Sequence, residues 1–292
     1  MIAIAPRHFL YLLGITFIWG LNLVVAKVGV GDMPPVLFTA LRFGMVALLT
    51  LPFLRWHGEA TGAIIVVALL VGGLHFALLF IGIARADNIS SVAIASQLGV
   101  PFATLLSVAL LGERVRWRRW TGIGLAFLGV CVMGFDPAVF GQRLSLSFVI
   151  GAAFIGSLGL IAIKRLPAMR PLELQAWIAW ISWPLLLALS LVVEGDQRAT
   201  LVSAGWVGWG ALVYAAVLSS LFAHTVYFFL VQRYPVTSIA PLTVLSPVFS
   251  VTFGVLLLGD ALTPRITLGG ALTLLGVLII TLREKKFADT GS

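Results

Sequence analysis

The sequence predicts an all-α polytopic membrane protein with ten transmembrane helices arranged as two inverted five-helix repeats. Three observations predict this fold class: the composition, the length of the apolar runs and an internal duplication. Of the 292 residues, 10% are charged and 60% are hydrophobic, and the mean hydropathy is +1.09. A soluble domain carries about 25% charged residues, so this chain is built to use the lipid bilayer as its solvent.

The apolar runs are long enough to cross a bilayer, which takes about 20 helical residues. They are continuously apolar rather than alternating, which favours helices over a β-barrel. No small-x-small cleavage site follows the first run before Lys27, so we expect an uncleaved anchor rather than a signal peptide. Charges, glycines and prolines divide the chain into ten predicted spans: 8–27, 34–54, 63–84, 89–111, 118–135, 147–164, 172–193, 206–230, 236–258 and 266–282.

Positive charges are distributed unequally between the two sides of the predicted bundle. With the N-terminus inside, thirteen of the 19 lysines and arginines fall in cytoplasmic segments and six on the other side. This bias fits the positive-inside rule and predicts that both termini are cytoplasmic. The net charge of +8 therefore does not indicate a nucleic-acid surface, and the cluster ERVRWRRW (113–120) is interpreted as a topology anchor rather than a binding patch.

The chain contains an internal repeat. Residues 111–129 read LGERVRWRRWTGIGLAFLG and residues 258–276 read LGDALTPRITLGGALTLLG, with glycines at matching positions. Gly122 and Gly129 correspond to Gly269 and Gly276, and the seven-residue spacing puts each pair on one helix face. Small residues on one face allow close helix packing, so we expect helices 5 and 10 to be packing elements rather than substrate walls.

The repeat predicts the domain organisation. We expect a first five-helix unit in residues 1–135, a linker in 136–144, a second unit in 145–285 and a cytoplasmic tail in 286–292. Because five is odd, the second unit enters the membrane from the opposite side and is inverted. Inverted units suit alternating access around a site at the membrane midplane, the alternative being a duplication that serves structure alone.

Three stretches carry a resemblance to a known family: WGLNLVVAKVGVGDMPP (19–35), SQLGVPFATLLSVALLGERV (96–115) and APLTVLSPVFSVTFGVLLLGD (240–260). They resemble the EamA-type transporters of the drug/metabolite transporter superfamily, with the cysteine and O-acetylserine exporter branch as the nearest likeness. The resemblance implies a bacterial inner-membrane exporter of amino acids or related metabolites. It also implies a basket of helices 1–4 and 6–9 around a central cavity, with helices 5 and 10 outside. The chain departs from the pattern at Gly259–Asp260 and Ala261, at a helix end.

Polar residues inside the predicted spans are the candidate substrate-binding residues, because an unpaired polar group is costly in hydrocarbon. Asn22 and the nearby Trp19 either line a cavity or serve an interhelical hydrogen bond. His75 and His224 lie on equivalent helices of the two units and are either cavity residues or satisfied core histidines. The full candidate set is Trp19, Asn22, Arg42, His75, Gln97, His224 and Tyr227.

Further residues mark the mouths and the ends of the spans. Lys27 and Lys164 are equivalent in the repeat, so inversion predicts that they lie at opposite mouths, where their long side chains reach water.

Gln97 precedes Pro101, where a kink is expected to free backbone polar groups. Glu113 and Asp260 are expected to be solvated residues at helix ends. The single cysteine is expected to be a small core residue, and Trp177, Trp180 and Trp183 a packing or interface stripe rather than a substrate wall.

The acids define the expected charge of the substrate. All eleven lie in loops or at span ends, whereas Arg42 lies about two turns inside helix 2. An intramembrane arginine is costly, so Arg42 either snorkels or pairs with a helix end, or guides a substrate carboxylate. The second alternative predicts a pore that favours zwitterionic or anionic metabolites over lipophilic cations.

Other function classes lack their signatures. The chain has no Walker A, H-E-x-x-H or G-x-S-x-G motif and no filter-like loop, which argues against an enzyme and, less strongly, against a channel. We expect no cofactor and no metal. The expected partners are a small-molecule metabolite and the lipid bilayer, not nucleic acid, with the protein a monomer or weak dimer. An exporter of another metabolite or drug class remains the alternative function.

Overall fold

The computed structural model describes residues 5–112, 116–136, 139, 141–167, 169–233 and 245–281. The predicted tail 286–292, part of the linker and Glu113 lie outside these residues. In the described part every regular element is a helix, and the prediction of an all-helical polytopic membrane protein is confirmed. Seven helices are long and apolar enough to cross a membrane, and two shorter apolar helices follow at Leu245–Leu258 and Pro264–Ile280.

In the described ranges, ten helices, α1–α10, correspond to the ten predicted spans. Their bounds are α1 Pro6–Asp32, α2 Pro35–Thr50, α3 Thr61–Ala68 continued by Leu69–Leu74 and His75–Ala84, α4 Ile89–Ser96 and Gly99–Leu111, α5 Trp117–Gly134, α6 Arg143–Ile163, α7 Pro171–Val193, α8 Trp206–Val213 continued by Tyr214–Ala223 and His224–Arg233, α9 Leu245–Leu258 and α10 Pro264–Thr281. A short helix, Gln197–Ser203, joins α7 to α8.

Helix α1 extends beyond its predicted end at Lys27. It continues to Asp32, and the Lys27 Nζ donates hydrogen bonds to the carbonyl oxygens of Ile83 (3.3 Å) and Ala84 (3.2 Å) at the end of α3. The charge is therefore held against a helix C-terminus, where the macrodipole favours a cation, and the helix need not end there.

Helix α4 is broken where the sequence predicts a kink. Gln97 and Leu98 form a turn between its two segments. Pro101 has no N–H to donate to the Gln97 carbonyl, which instead accepts a hydrogen bond from the Val100 N–H at 3.1 Å. The kink places the Gln97 side chain at a discontinuity in the middle of the bundle.

Two π-helical segments interrupt α3 and α8, and the sequence predicts neither. They span Leu69–Leu74 and Tyr214–Ala223, and each ends directly before a histidine, His75 or His224. Short π segments inside α-helices are uncommon and occur often at functional sites. The same interruption therefore stands at corresponding positions of the two predicted units.

Helices α5 and α10 cross at glycines with their backbones in contact. A Cβ on Gly122 would lie 2.8 Å from the Gly276 carbonyl oxygen, and one on Gly269 would lie 2.5 Å from the Gly129 carbonyl oxygen. Gly122 therefore contacts Gly276, and Gly129 contacts Gly269, whereas the equivalent residues in the repeat are Gly122 with Gly269 and Gly129 with Gly276. An approximate two-fold axis between the two helices produces this pair of exchanged contacts. The expectation that these helices pack closely through small residues is met.

The other helix pairs follow the same approximate two-fold relation. Helix α2 packs on α7, its predicted equivalent, while α1 packs against α8 and α9 just as α6 packs against α3 and α4. Every one of these pairs joins the first half of the chain to the second. The interior between the two halves is therefore bounded by α1–α4 and α6–α9.

Candidate functional site

A cavity of about 300 Å³ lies inside the bundle. Its described lining comes from both halves of the chain and includes no residue of α5 or α10, in agreement with the expected basket. The lining residues are Trp19, Val71, Gln97, Gly156, Leu160, Ile163, His224, Tyr227 and Ser246. Because Ile163 is the last residue of α6, the cavity reaches the end of the bundle that carries Lys164.

Four of the seven predicted site residues line this cavity: Trp19, Gln97, His224 and Tyr227. The Trp19 ring packs against the His224 ring (5.0 Å between centroids) and against the Tyr227 ring (5.1 Å). The Trp19 Nε1 is buried and has no hydrogen-bond partner among the described residues. An aromatic wall with an unused N–H donor is suited to a ligand that offers both an apolar face and an acceptor oxygen.

The π segment of α8 determines how His224 is held. The His224 Nδ1 lies 2.7 Å from the Ser219 carbonyl oxygen, so Nδ1 carries the proton in this contact. Ser220, the next residue, accepts a hydrogen bond from the Arg42 Nε at 2.7 Å. Neither serine is among the residues predicted from the sequence, although an adjacent polar pair one turn before a histidine within a span is a usable signal.

His75 lies outside the described lining of the cavity. Its Nδ1 is 2.7 Å from the Ala152 carbonyl oxygen, and its ring packs against Gly156, which does line the cavity. A Cβ on Gly156 would lie 2.7 Å from that nitrogen, so the close approach of α6 to α3 depends on the glycine. Of the two alternatives for His75, a cavity residue or a satisfied core histidine, this geometry fits the second, a hydrogen-bonded histidine between two helices.

Asn22 is also buried and outside the described lining. Its side chain is 9% exposed, and its Oδ1 has no hydrogen-bond partner. A buried amide oxygen without a donor carries a desolvation cost that the interior has to offset. No interhelical hydrogen bond to this oxygen is present in the described part of the chain.

Arg42 is buried in the bundle and does not snorkel. It is 1% exposed, and its guanidinium carbon lies 4.6 Å from the Phe76 ring centroid, 5.4 Å from that of Phe80 and 5.9 Å from that of Phe43. No acid pairs with it among the described residues, and its Nη1 has no hydrogen-bond partner. In the part of the chain that the structure describes, Arg42 pairs with no helix end either, because its Nε partner, Ser220, lies within α8.

Phe76 connects Arg42 to the cavity. The centroid of this ring lies 4.6 Å from the guanidinium carbon and 6.5 Å from the centroid of the His224 ring, which lines the cavity. The cation is thus one side chain behind the cavity wall. Cation–π contacts with three rings lower the cost of its burial but supply no counter-charge.

The two predicted mouth residues lie at opposite ends of the bundle. Lys27 bonds to the end of α3, whereas Lys164 is exposed just after α6, beside Arg165. The Arg165 guanidinium donates a 2.7 Å hydrogen bond to the Leu110 carbonyl oxygen near the end of α4. We call these ends of the bundle the Lys27 end and the Lys164 end.

Three other expectations about side chains have clear outcomes. The expectation that solvent reaches Asp260 is wrong, because the residue is only 8% exposed and its carboxylate accepts two 2.6 Å hydrogen bonds from Ser90. The tryptophan stripe of α7 is a packing element, since the Trp177 and Trp180 indoles bond to carbonyl oxygens of the first half. Cys131 is exposed on the outside of the bundle rather than in its core.

Comparison with known proteins identifies a family that matches this chain along most of its length. The sequence profile of the EamA-like transporter family matches residues 7–135 and again residues 143–282. The chain is 30% identical to a probable amino-acid metabolite efflux pump of Salmonella typhimurium, over 91% of each chain. It is 29% identical to a protein described in the same words from Escherichia coli, over 95% of this chain and 96% of the other.

A solved crystal structure shares the fold. It superposes with a TM-score of 0.63 at 20% identity and covers 94% of this chain and 96% of the other. The two profile matches together cover most of the chain, and the relatives align along nearly their whole length. The chain belongs to the EamA-like transporter family.

Proposed function

We propose that this protein exports amino acids or related small zwitterionic or anionic metabolites by alternating access. The observation that carries the proposal is the cavity lined by polar and aromatic side chains from both halves of the chain. Relatives described as probable amino-acid metabolite efflux pumps support the substrate class. A transporter of the cysteine and O-acetylserine exporter branch is the narrower form of this proposal.

The pairing of the helices supports the alternating-access mechanism. Residues 1–135 and 145–285 form the two inverted units of this proposal, and the two matches of the family profile support their bounds. Helices α2 and α7, and α5 and α10, pair across the approximate two-fold axis, so each half can adopt the other's arrangement. In this state the cavity reaches the Lys164 end, and exchange of the two arrangements would open it to the Lys27 end.

A transport assay with a matched pair of tryptophan variants tests the proposed function. Purified protein in liposomes is expected to take up labelled amino acids with saturation and counterflow, which a channel would not give. Trp19→Ala removes the aromatic wall beside His224 and Tyr227 and is expected to lower the initial rate at least tenfold. Trp206→Ala is the control, because that indole is 86% exposed at the start of α8.

The outcome of that assay separates the alternatives. If both tryptophan variants transport at the wild-type rate, the cavity is not the substrate path. If the flux does not saturate, the carrier mechanism is wrong. If a panel of lipophilic drugs is carried and no amino acid is, the protein exports another substrate class of the superfamily.

The orientation is tested with single cysteines at the two lysines. In a Cys131→Ala background, Lys27→Cys is expected to react with an impermeant maleimide on intact cells. Lys164→Cys is expected to react only after permeabilisation, because the proposed topology places both termini in the cytoplasm of a bacterial cell with the Lys27 end outside. Labelling of both positions from outside would contradict the inverted topology.

A further inference from the structure

The Lys27 end of the bundle contains an unusual set of contacts between acids and helix N-termini. The even-numbered helices begin at this end, and four of them meet a carboxylate there. Glu194 accepts hydrogen bonds from the Val36 N–H (2.7 Å) and the Leu37 N–H (2.9 Å) at the start of α2. Asp260 accepts 2.6 Å hydrogen bonds from the Ser90 N–H and hydroxyl at the start of α4.

The other two contacts involve α8 and α10. The Asp32 carboxylate packs on the first turn of α8, where a Cβ on Gly208 would lie 2.7 Å from its Oδ2. Asp136 accepts a 2.5 Å hydrogen bond from the Thr263 hydroxyl, whose oxygen accepts the Ile266 N–H at the start of α10. A carboxylate at a helix N-terminus satisfies unpaired N–H groups and is favoured by the helix macrodipole.

Each acid comes from the opposite half of the chain. Glu194 and Asp260 follow helices of the second half and contact helices of the first. Asp32 ends α1 and Asp136 follows α5, both in the first half, and they contact the start of helices of the second. Any movement that separates the halves at this end must therefore break these contacts.

The Lys164 end differs in the described part of the chain. Helix α7 is capped by its own Glu173, whose carboxylate lies 3.4 Å from the Arg170 N–H. Helix α3 begins at Thr61, whose buried hydroxyl has no hydrogen-bond partner. An acid of the second half does approach the first half here, with the Glu173 carboxylate 3.2 Å from the His57 Nε2 shortly before α3. In the described residues, however, no carboxylate of the opposite half accepts a backbone N–H at the start of α3 or α7. This is the end that the cavity reaches at Ile163.

We propose that Glu194, Asp260, Asp32 and Asp136 form the gate of the Lys27 end, holding it closed while the cavity opens to the Lys164 end. The inference rests on the proposed alternating-access function and names the residues that control one of its steps. Behind these acids the end is sealed by a buried apolar cluster that includes Met33, Phe38 and Ala86. Loss of the acid contacts therefore exposes this cluster from the Lys27 end.

The test measures accessibility in detergent-purified protein, so it needs neither a substrate nor a known orientation. Ala86→Cys, in a Cys131→Ala background, reports on the sealed end, since Ala86 is fully buried. Ile163→Cys reports on the Lys164 end. The gate is weakened by Glu194→Gln combined with Asp260→Asn, which keeps the shape of both side chains and removes both charges. Asp196→Asn is the control, because this acid is exposed two residues from Glu194.

The expected result is a reciprocal change in maleimide reaction rates. The double variant should raise the rate at Ala86→Cys at least fivefold and lower the rate at Ile163→Cys, while Asp196→Asn changes neither. Unchanged rates at both cysteines would overturn the proposal, and so would equal rises at both, which indicate loosening of the whole bundle. If the double variant does not fold, each single variant is tested with the same two cysteines. A reciprocal change without amino-acid transport would reject the proposed substrate and retain the gate.

Discussion

Replacing Gly129 with leucine is expected to lower the thermal midpoint of the detergent-purified protein by roughly 3–10 °C and to reduce its folded yield sharply. A Cβ at this position would meet the Gly269 carbonyl oxygen and would lie 2.5 Å from the Thr273 backbone nitrogen. These neighbours are backbone atoms of α10, so they cannot rotate away as a flexible side chain could. The two helices would have to separate.

Gly124→Leu is the matched control for this substitution. Gly124 lies on the same helix, but a Cβ there would meet nothing within 4 Å. Both variants change helix propensity equally, so any difference between them reports the packing of α5 on α10. Equal midpoints for the two variants, measured by the fluorescence of thermally unfolding protein, would contradict the tight glycine crossing.

The glycine crossing was predictable from the sequence because its signal is local. Seven-residue spacing of Gly122 and Gly129, repeated at Gly269 and Gly276, is enough to define a close-packing face on each helix, although the contact between the two helices is seen only in the structure. The ten helices were predictable for a similar reason, since a long apolar run can satisfy its backbone in lipid only as a helix.

Features that depend on a second helix were not predictable in this way. Asp260 follows a glycine, which is typical of a solvated helix end, but it is buried against the N-terminus of α4, where its partner Ser90 lies 170 residues earlier in the chain. The π segments before His75 and His224 likewise leave no periodic signal. A π turn has about one more residue than an α turn, but in an almost uniformly apolar span this change in repeat does not alter the hydrophobic pattern of the sequence.

The candidate site was predicted in part for the same reason. Polar residues within spans stand out in any sequence, so Trp19, Gln97, His224 and Tyr227 could be chosen before their neighbours were known. The apolar part of the cavity wall, such as Val71 and Leu160, is indistinguishable in sequence from lipid-facing positions. Whether a buried polar group lies at the cavity or behind it, as Arg42 does, depends on one intervening ring.

Arg42 is expected to determine whether the transporter prefers a carboxylate-bearing substrate. The measurement compares competition by an amino acid with competition by the amine that lacks only its carboxylate. In the wild type the amino acid should compete better, and in Arg42→Met this preference should fall roughly ten- to a hundredfold, because a hydrogen bond to a charged group contributes about 1.5–3 kcal/mol. Arg42→Lys should keep part of the preference, since it retains the charge but loses the two-pronged geometry.

The physical reason is that Arg42 is a buried cation whose described surroundings provide rings and one hydroxyl but no anion. A substrate carboxylate would supply the missing charge if Phe76 moved aside, and the unpartnered Nη1 would then have an acceptor. A quaternary ammonium ion would instead be repelled. Arg85→Met is the control, because the Arg85 guanidinium also lies over a ring, 5.5 Å from the centroid of Phe148, but outside the described cavity lining.

A purely structural role for Arg42 gives a different pattern, which makes the experiment decisive. In that case Arg42→Met would lower the thermal midpoint and reduce the transport of every substrate by the same factor. The ratio between the amino acid and its amine would stay at the wild-type value, as it should in Arg85→Met. An unchanged ratio in Arg42→Met, or transport of a quaternary ammonium ion as fast as any amino acid, would show that this cation holds the aromatic rings of α2 and α3 together and does not select the substrate.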